Sequence, residues 1–405
     1  MKNVNNSNQF EDIEISYRKQ YGKLFSALIF RFGSNYINQI EDAIQNTFYK
    51  SLKSWKLNKS PKNKENWLFI VARNDLINQI RRESKTVSTL PSISALNVEE
   101  ELQEDLRLKT ILLFSGAKNI STQAKVIFVL KNIFGLHIKE ISESTLIQVD
   151  AIYKSINRAK KTFHSNAFKK LLKLEKVDKN SISIVEEILY AVFNIGFDSF
   201  NSKKGSIVND DICLEALALA KLLFQEYEKK STSNLIALFC LHIARISSKE
   251  MNKKLIAFQE QKDNWNAELI KLGFHYMKKP KSLNRYYIEA IITSRHMTTK
   301  KFDLNYWNQI AELYKLLLSI TESPIVKVNL CYCLHQAERT NEAIEFLKQI
   351  ENQLPENHLY FSLVKADILK KENAKESGEI INNLLNNVSQ EIRKKHITEN
   401  ILTNL

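Results

Sequence analysis

Glycine and proline are scarce, 8 and 5 in 405 residues. Sandwiches, barrels and doubly wound sheets need tight turns built largely from those two residues, so the chain reads as all-α. Cysteine is limited to Cys213, Cys240, Cys331 and Cys333. None has zinc spacing, and Cys331 and Cys333 fall two apart in a helical pattern, facing different directions. Reduced core thiols are expected. There is no run of about 18 apolar residues, which argues against a membrane span. The polar, acidic opening MKNVNNSNQFEDIEIS excludes a signal peptide, and a cytoplasmic protein is expected. The eight histidines show no paired ligand spacing, so no metal is expected. Between Gln259 and Trp265 a lone acidic residue among amides lacks a partner base. The chain is read as no enzyme, with no cofactor.

What is present is a core-forming composition, 44% hydrophobic and 10% aromatic, long enough for two or three domains. The net charge of +14 is unevenly placed. Residues 1–179 hold 30 basic and 18 acidic side chains, a net of +12, whereas 180–405 hold 29 and 27, a net of +2. A lysine-rich proteome would bias both parts alike. The N-terminal excess therefore predicts a surface for polyanions, where nucleic acid gains from counterion release.

The apolar spacing predicts helices over 10–32 (Phe10, Ile13, Tyr17, Tyr21, Leu24, Phe25, Leu28, Phe32), 36–54 (Ile37, Ile40, Ile44, Phe48, Leu52) and 65–83 (Trp67, Ile70, Val71, Ile77, Ile80). Gly33 breaks the first from the second. The stretch 84–98 has no helical period and reads as a linker, followed by the acidic run Glu99 to Asp105, which suits a helix N-terminus.

Ser121 reads as the N-cap of a helix ended by Gly135. Then come a short helix from Ile138 to Ser144, a turn at Thr145-Leu146-Ile147, and a longer helix from Gln148 to about Ser165. This is the helix-turn-helix pattern. Val149, Ile152, Ile156, Ala159 and Phe163 form the inner stripe of the last helix. Asp150, Lys154, Asn157, Arg158 and Lys161 share the opposite face, as a helix in the major groove requires. An ordinary hairpin with a solvated basic face would look similar.

On 36–54, Glu41, Asp42, Gln45, Asn46 and Tyr49 form an outward acidic-amide face, suited to a protein partner with a basic helix rather than to DNA. On 65–83, Asn74, Asn78, Arg81 and Lys85 make a different strip, with Arg73 and Arg82 beside it. The adjoining basic loop, Trp55 to Lys64, carries an aromatic. Amides and cations beside apolar pockets can hold unstacked bases. Core packing is the competing role of Trp55 and, more strongly, of Trp67.

Taken together, Glu41-Asp42-Ala43-Ile44-Gln45-Asn46-Thr47-Phe48, Trp67 to Asn74 and Arg81-Arg82 resemble region 2 of extracytoplasmic-function (ECF) sigma factors. Residues 121–163, with Gly135-Leu136, Glu140-Ile141 and Asn157-Arg158-Ala159-Lys160, resemble region 4. Blocks such as Tyr190 to Phe197, Cys213 to Ala216, Gln261 to Trp265, Tyr287 to Ile291 and Ser323 to Asn329 are similar to the subgroup with a long tetratricopeptide-like C-terminal extension. The resemblance implies region 2 at 8–84, a linker at 85–104, region 4 at 105–170 and the extension at 180–405. It implies a promoter-specificity subunit whose partners are core RNA polymerase and promoter DNA. Glu41, Asp42, Gln45 and Asn46 would meet the core enzyme. Trp55, Arg73, Asn74, Asn78, Arg81 and Arg82 would meet the −10 element, and Asp150, Lys154, Asn157, Arg158 and Lys161 the −35 element. The chain departs from the family where Asn78 replaces an Asp and Phe114-Ser115-Gly116-Ala117 replaces a Cys-Cys-His-Pro run. It departs again where Ile195 replaces an acidic residue and Gln261-Lys262-Asp263 replaces Gln-Asp-Arg.

In the extension, Leu334/Leu369, Ala343/Gly378, Phe346/Ile381 and Ile350/Leu385 recur at 35 residues, close to the tetratricopeptide period. Such hairpin arrays present a surface for a partner, here a regulatory protein, or regulate the attached module directly. The alternative reading is a helix-turn-helix regulator with a helical-repeat sensor domain. It leaves the acidic-amide face of 36–54 unexplained.

Overall fold

The computed structural model describes residues 4–55, 61–83, 105–145, 147–164, 179–200, 206–256, 262–355 and 357–400. Among them lie eighteen α-helices and a single sheet, the two-residue antiparallel hairpin Glu250–Met251 with Lys254–Leu255. Its turn residues Asn252 and Lys253 both have positive φ, 52° and 59°, the twist that a two-residue hairpin needs. The chain is all-α. It divides into a unit at 1–192 and a unit at 193–405.

The N-terminal unit begins with α1 (Val4–Phe32), α2 (Ile37–Trp55) and α3 (Lys64–Glu83). Gly33 between α1 and α2 has φ 89°, a conformation only glycine adopts without strain. Tyr21, Leu24, Phe25, Leu28 and Ile29 of α1 are buried, as are Ile37, Ile40, Ala43, Ile44 and Phe48 of α2. Phe32 is half-buried, and the side chains of Phe10 and Ile13 lie outside the described residues. On α3 the buried set is Leu68, Phe69, Ala72, Leu76, Ile77 and Ile80. Trp67, Ile70 and Val71, expected to face inward, are only half-buried. The reason is a rotation of the buried stripe by one residue, which places Leu68 and Phe69 against α1 and α2.

Four further helices follow: α4 (Arg107–Ser115), α5 (Thr122–Asn132), α6 (Ile138–Thr145) and α7 (Val149–Phe163). Ser121 caps α5, its Oγ accepting from the Ala124 amide at 3.2 Å. Gly135 has φ 62° just beyond it, and the Leu136 amide closes back on the Leu130 carbonyl at 3.1 Å. Ile152, Ile156, Ala159 and Phe163 form the buried stripe of α7. Val149, expected in that stripe, is 39% exposed, because it is the first residue of the helix and lies beyond the face that meets α5 and α6. The linker 85–104 and Leu146 lie outside the described residues.

Helix α1 packs against α4 and α5 as well as against α2 and α3. Phe25 of α1 enters an aromatic cluster with Phe114 (6.5 Å) and Phe128 (6.2 Å), and Phe163 closes on Phe114 at 4.4 Å. All four rings are fully buried. Burying a phenylalanine contributes roughly 1.5–3 kcal/mol, so this cluster is a main bond between α1 and the α4–α7 module.

The boundary between units falls inside α8 (Lys179–Phe197). The C-terminal unit continues through α9 (Asp210–Tyr227), α10 (Lys230–Ile243), α11 (Ala267–Tyr276), α12 (Arg285–Thr298), α13 (Leu304–Leu318), α14 (Pro324–Gln336), α15 (Thr340–Ile350), α16 (Leu359–Leu369), α17 (Ala374–Asn387) and α18 (Glu391–Asn400). From α9 to α18 most packing is between sequence neighbours, with α10 on α12 and α14 on α16 as next-but-one contacts. The hairpins α14–α15 and α16–α17 begin 35 residues apart, at Pro324 and Leu359. The repeat is imperfect: Leu334, Ala343, Ile350 and Ile381 are buried, but Phe346, Leu369 and Leu385 are half-buried and a Cβ on Gly378 would touch nothing. The four cysteines are buried thiols, with burial pushing Cys240 up to about 11 and Cys213 and Cys331 up to about 12.

Candidate nucleic-acid interface

Helix α7 separates its faces cleanly. While Ile152, Ile156, Ala159 and Phe163 anchor it, Asp150, Lys154, Asn157, Arg158 and Lys161 are all exposed. Lys154, Arg158 and Lys161 make no ion pair among the described residues, so their charge is available to a ligand. Tyr153, 52% exposed, stands on the same outer side and was not singled out from the sequence. Its place three residues after Asp150 and four before Asn157 is the signal that would have found it. Ser142 Oγ, donating to the Ile147 carbonyl at 2.6 Å, ties α6 to the start of α7 and so fixes the angle between them.

On α3, Asn74, Asn78, Arg81 and Arg82 are exposed and Arg73 is half-buried, its Nη2 donating to Asn74 Oδ1 at 3.4 Å. Trp55 is half-buried against Trp67, with centroids 5.6 Å apart and Lys64 Nζ 5.4 Å from the Trp55 ring. Its indole N–H is buried without a partner among the described residues. Core packing therefore accounts for one side of Trp55. Lys56 to Ser60 of its loop lie outside the described residues.

Helices α2 and α3 lie side by side, and this merges two faces that the sequence treated separately. Asp42, Gln45 and Asn46 of α2, with Asn78 and Arg82 of α3, line one open polar groove of about 410 Å3, completed by Asp75 and Gln79. Asp75 accepts from Asn46 at 3.1 Å, Lys50 at 3.1 Å and Gln79 at 2.9 Å. Burial raises its pKa, but those hydrogen bonds outweigh it and hold the carboxyl below the usual carboxylate range. Asp75 thus braces the groove as an anion with its donors already in place.

Glu41 departs from the outward face expected for it. It is 6% exposed, and its Oε2 accepts from Lys160 of α7 at 2.7 Å and Lys131 of α5 at 3.5 Å. Lys160 also donates to Asn38 Oδ1 at 2.9 Å. Asp42, Gln45, Asn46 and Tyr49, the rest of that face, are exposed. The α4–α7 module covers the first turns of α2 and leaves the middle open. Among the described residues no three His, Cys, Asp or Glu side chains group as metal ligands, and no helix is long and apolar enough to cross a membrane.

Residues 18–86, spanning most of α1 and all of α2 and α3, match sigma-70 region 2. Region 2 is the part of sigma-70 factors that binds core RNA polymerase, and the match covers 69 of the 405 residues. Residues 181–281 match a family of unknown function, DUF6596. The chain is also 24% identical over 350 residues to an uncharacterized protein of Rhizobium meliloti (strain 1021), covering 82% of this chain and 81% of the relative. No solved structure matches significantly.

Proposed function

We propose that this chain is an ECF-type sigma factor with a fused helical extension, binding core RNA polymerase and directing promoter-specific initiation. The observation that carries the reading is the region 2 match over α1–α3, whose outer surface combines the acidic-amide groove of α2 with the Asn and Arg strip of α3. In this reading Glu41, Asp42, Gln45 and Asn46 contact the core enzyme, and Trp55, Arg73, Asn74, Asn78, Arg81 and Arg82 hold −10 DNA. The α4–α7 module acts as region 4, a helix-turn-helix whose Asp150, Lys154, Asn157, Arg158 and Lys161 read the −35 element in the major groove. The chain contributes recognition and strand-opening energy, and the polymerase makes the bonds.

The tetratricopeptide-like extension at 180–405 acts on sigma activity or takes a regulatory protein. Its near-zero net charge disfavours DNA as its ligand. Purified full-length protein and core enzyme, assayed for initiation on genomic fragments, test the proposal. Stable holoenzyme and discrete start sites are expected. Salt-sensitive DNA binding without core binding would favour a helix-turn-helix regulator instead.

A further inference from the structure

Helix α9 is apolar on two sides. Cys213, Ala216, Leu217, Ala220 and Leu223 are buried within its own unit. On the opposite side Leu214 and Leu222 are 50% and 42% exposed, and Ala218 between them is exposed as well. These three recur at i, i+4 and i+8 and so form one ridge along the helix. A surface helix normally keeps its outer side charged or polar.

The ridge is its own complement. Ala218 is its midpoint, and an antiparallel copy related by a two-fold axis through Ala218 sets each residue against the one equally far beyond that point. Leu214 then packs on Leu222 of the second copy. Glu215 and Lys221, both half-buried at the flanks of the ridge, lie three residues before and three after the midpoint. They face each other at both symmetric places, and Asp211 falls opposite Gln225. A parallel pair would instead set Glu215 on Glu215 and Lys221 on Lys221, so charge selects the antiparallel direction. Alanine at the crossing lets the backbones approach closely. With axes about 9 Å apart and Cα atoms at a radius of about 2.3 Å, the two Ala218 Cα atoms lie roughly 4–5 Å from each other. Residues 180–405 carry a net charge of only +2, so little repulsion opposes contact between copies through this unit.

We infer that α9 is a self-association surface, at which two copies of this chain pair antiparallel across Ala218 with Glu215 of each against Lys221 of the other. This goes beyond the sigma reading and does not depend on it. The 18-residue helix is about 27 Å long and about 10 Å across. Its contact therefore stays below the roughly 1,200 Å2 of a stable interface, and the pairing is weak and concentration-dependent.

Sedimentation of the full-length protein from low to high micromolar concentration should show the mass rising from 47.1 kDa toward twice that value. Glu215→Lys and Lys221→Glu should each weaken association at least about tenfold, because each sets like charges together at both symmetric places. Mixing the two variants restores opposite charges at both, and the mixed pair should recover wild-type affinity, which a misfolded variant could not. The native cysteines are buried, so a cysteine placed on α9 reports the register by disulfide formation, which needs Cα atoms within about 7 Å. Ala218→Cys should link to itself. Leu214→Cys, about 12 Å from its own copy along the axis, should not, but should link to Leu222→Cys in a mixture. A monomer at every concentration overturns the inference, as does association that both charge variants leave unchanged. Linkage of Leu214→Cys to itself overturns the antiparallel register. None of these readouts involves polymerase or DNA, so their failure leaves the sigma reading standing.

Discussion

On α7, Lys154, Arg158 and Lys161 stand exposed and without ion pairs among the described residues. In the C-terminal unit, Arg393 is 4% exposed and bonds Asp198 at 2.7 Å and Gln390 at 2.6 Å, while Gln390 in turn donates to the Ser199 carbonyl at 3.0 Å. Lys249 donates to the Phe197 carbonyl at 2.5 Å and sits 3.7 Å over its ring; burial pulls its pKa down to about 8. Tyr360 completes the knot on Asp198. Solvated cations cost the fold little and remain available to a polyanion. Buried cations fix which segments meet, here joining α18 and α16 to the residues that follow α8, and they are costly once a partner is lost.

This contrast can be broken most directly at Asp198. Asp198→Ala leaves Arg393 buried and uncompensated, and should destabilise the protein by roughly 3–5 kcal/mol in chemical denaturation. A loss under about 1 kcal/mol would show that the knot is incidental. Acid offers a second probe. Burial beside Arg245 and Lys249 lowers His242 to about 3, and burial beside Arg245 and Lys262 lowers His296 to about 4. In the unfolded chain both rings gain a proton near pH 6.5, whereas in the folded chain they remain neutral to those lower values. The unfolded state therefore binds more protons between about 6.5 and 4, and stability should fall as pH drops through that window. His242→Phe, which also removes a buried Nδ1 without a partner among the described residues, should flatten the decline; a profile identical to the wild type would contradict this assignment.

Smaller effects sharpen the other side. Ser121→Ala removes the cap of α5 and should cost about 1 kcal/mol, visible as a lower melting midpoint. Arg158→Ala, Lys154→Ala and Lys161→Ala should each alter stability by no more than about 0.5 kcal/mol. Each should reduce the salt slope of duplex binding by about one. If one of these substitutions unfolds the protein, or leaves the slope untouched, α7 is a structural helix and not a reading one.

The contrast also marks what could be read from the chain. The two faces of α7, the cap at Ser121 and the glycine stops at Gly33 and Gly135 follow from local spacing and backbone preference. Each concerns residues within a few positions of one another. Glu41 was misplaced for the opposite reason: its partners are 90 and 119 residues away, and a carboxylate between Ile40 and Asp42 has the pattern of a solvated face. Gly22 carried no local signal, since its use depends on a carbonyl at position 133. Trp67, Ile70 and Val71 show a third limit: Ile77 and Ile80 of the same expected stripe are buried, but these three stand only half-buried at its edge.

Periodicity of 3.6, scarcity of turn residues and an uneven charge balance determined an all-α chain with a cationic N-terminal part, because each is a property of short segments or of simple sums. Which charges face water, and which are spent holding one helix to another, was decided only by tertiary packing. A side chain's pattern records its own helix, but its burial and partner depend on what the rest of the chain brings against it.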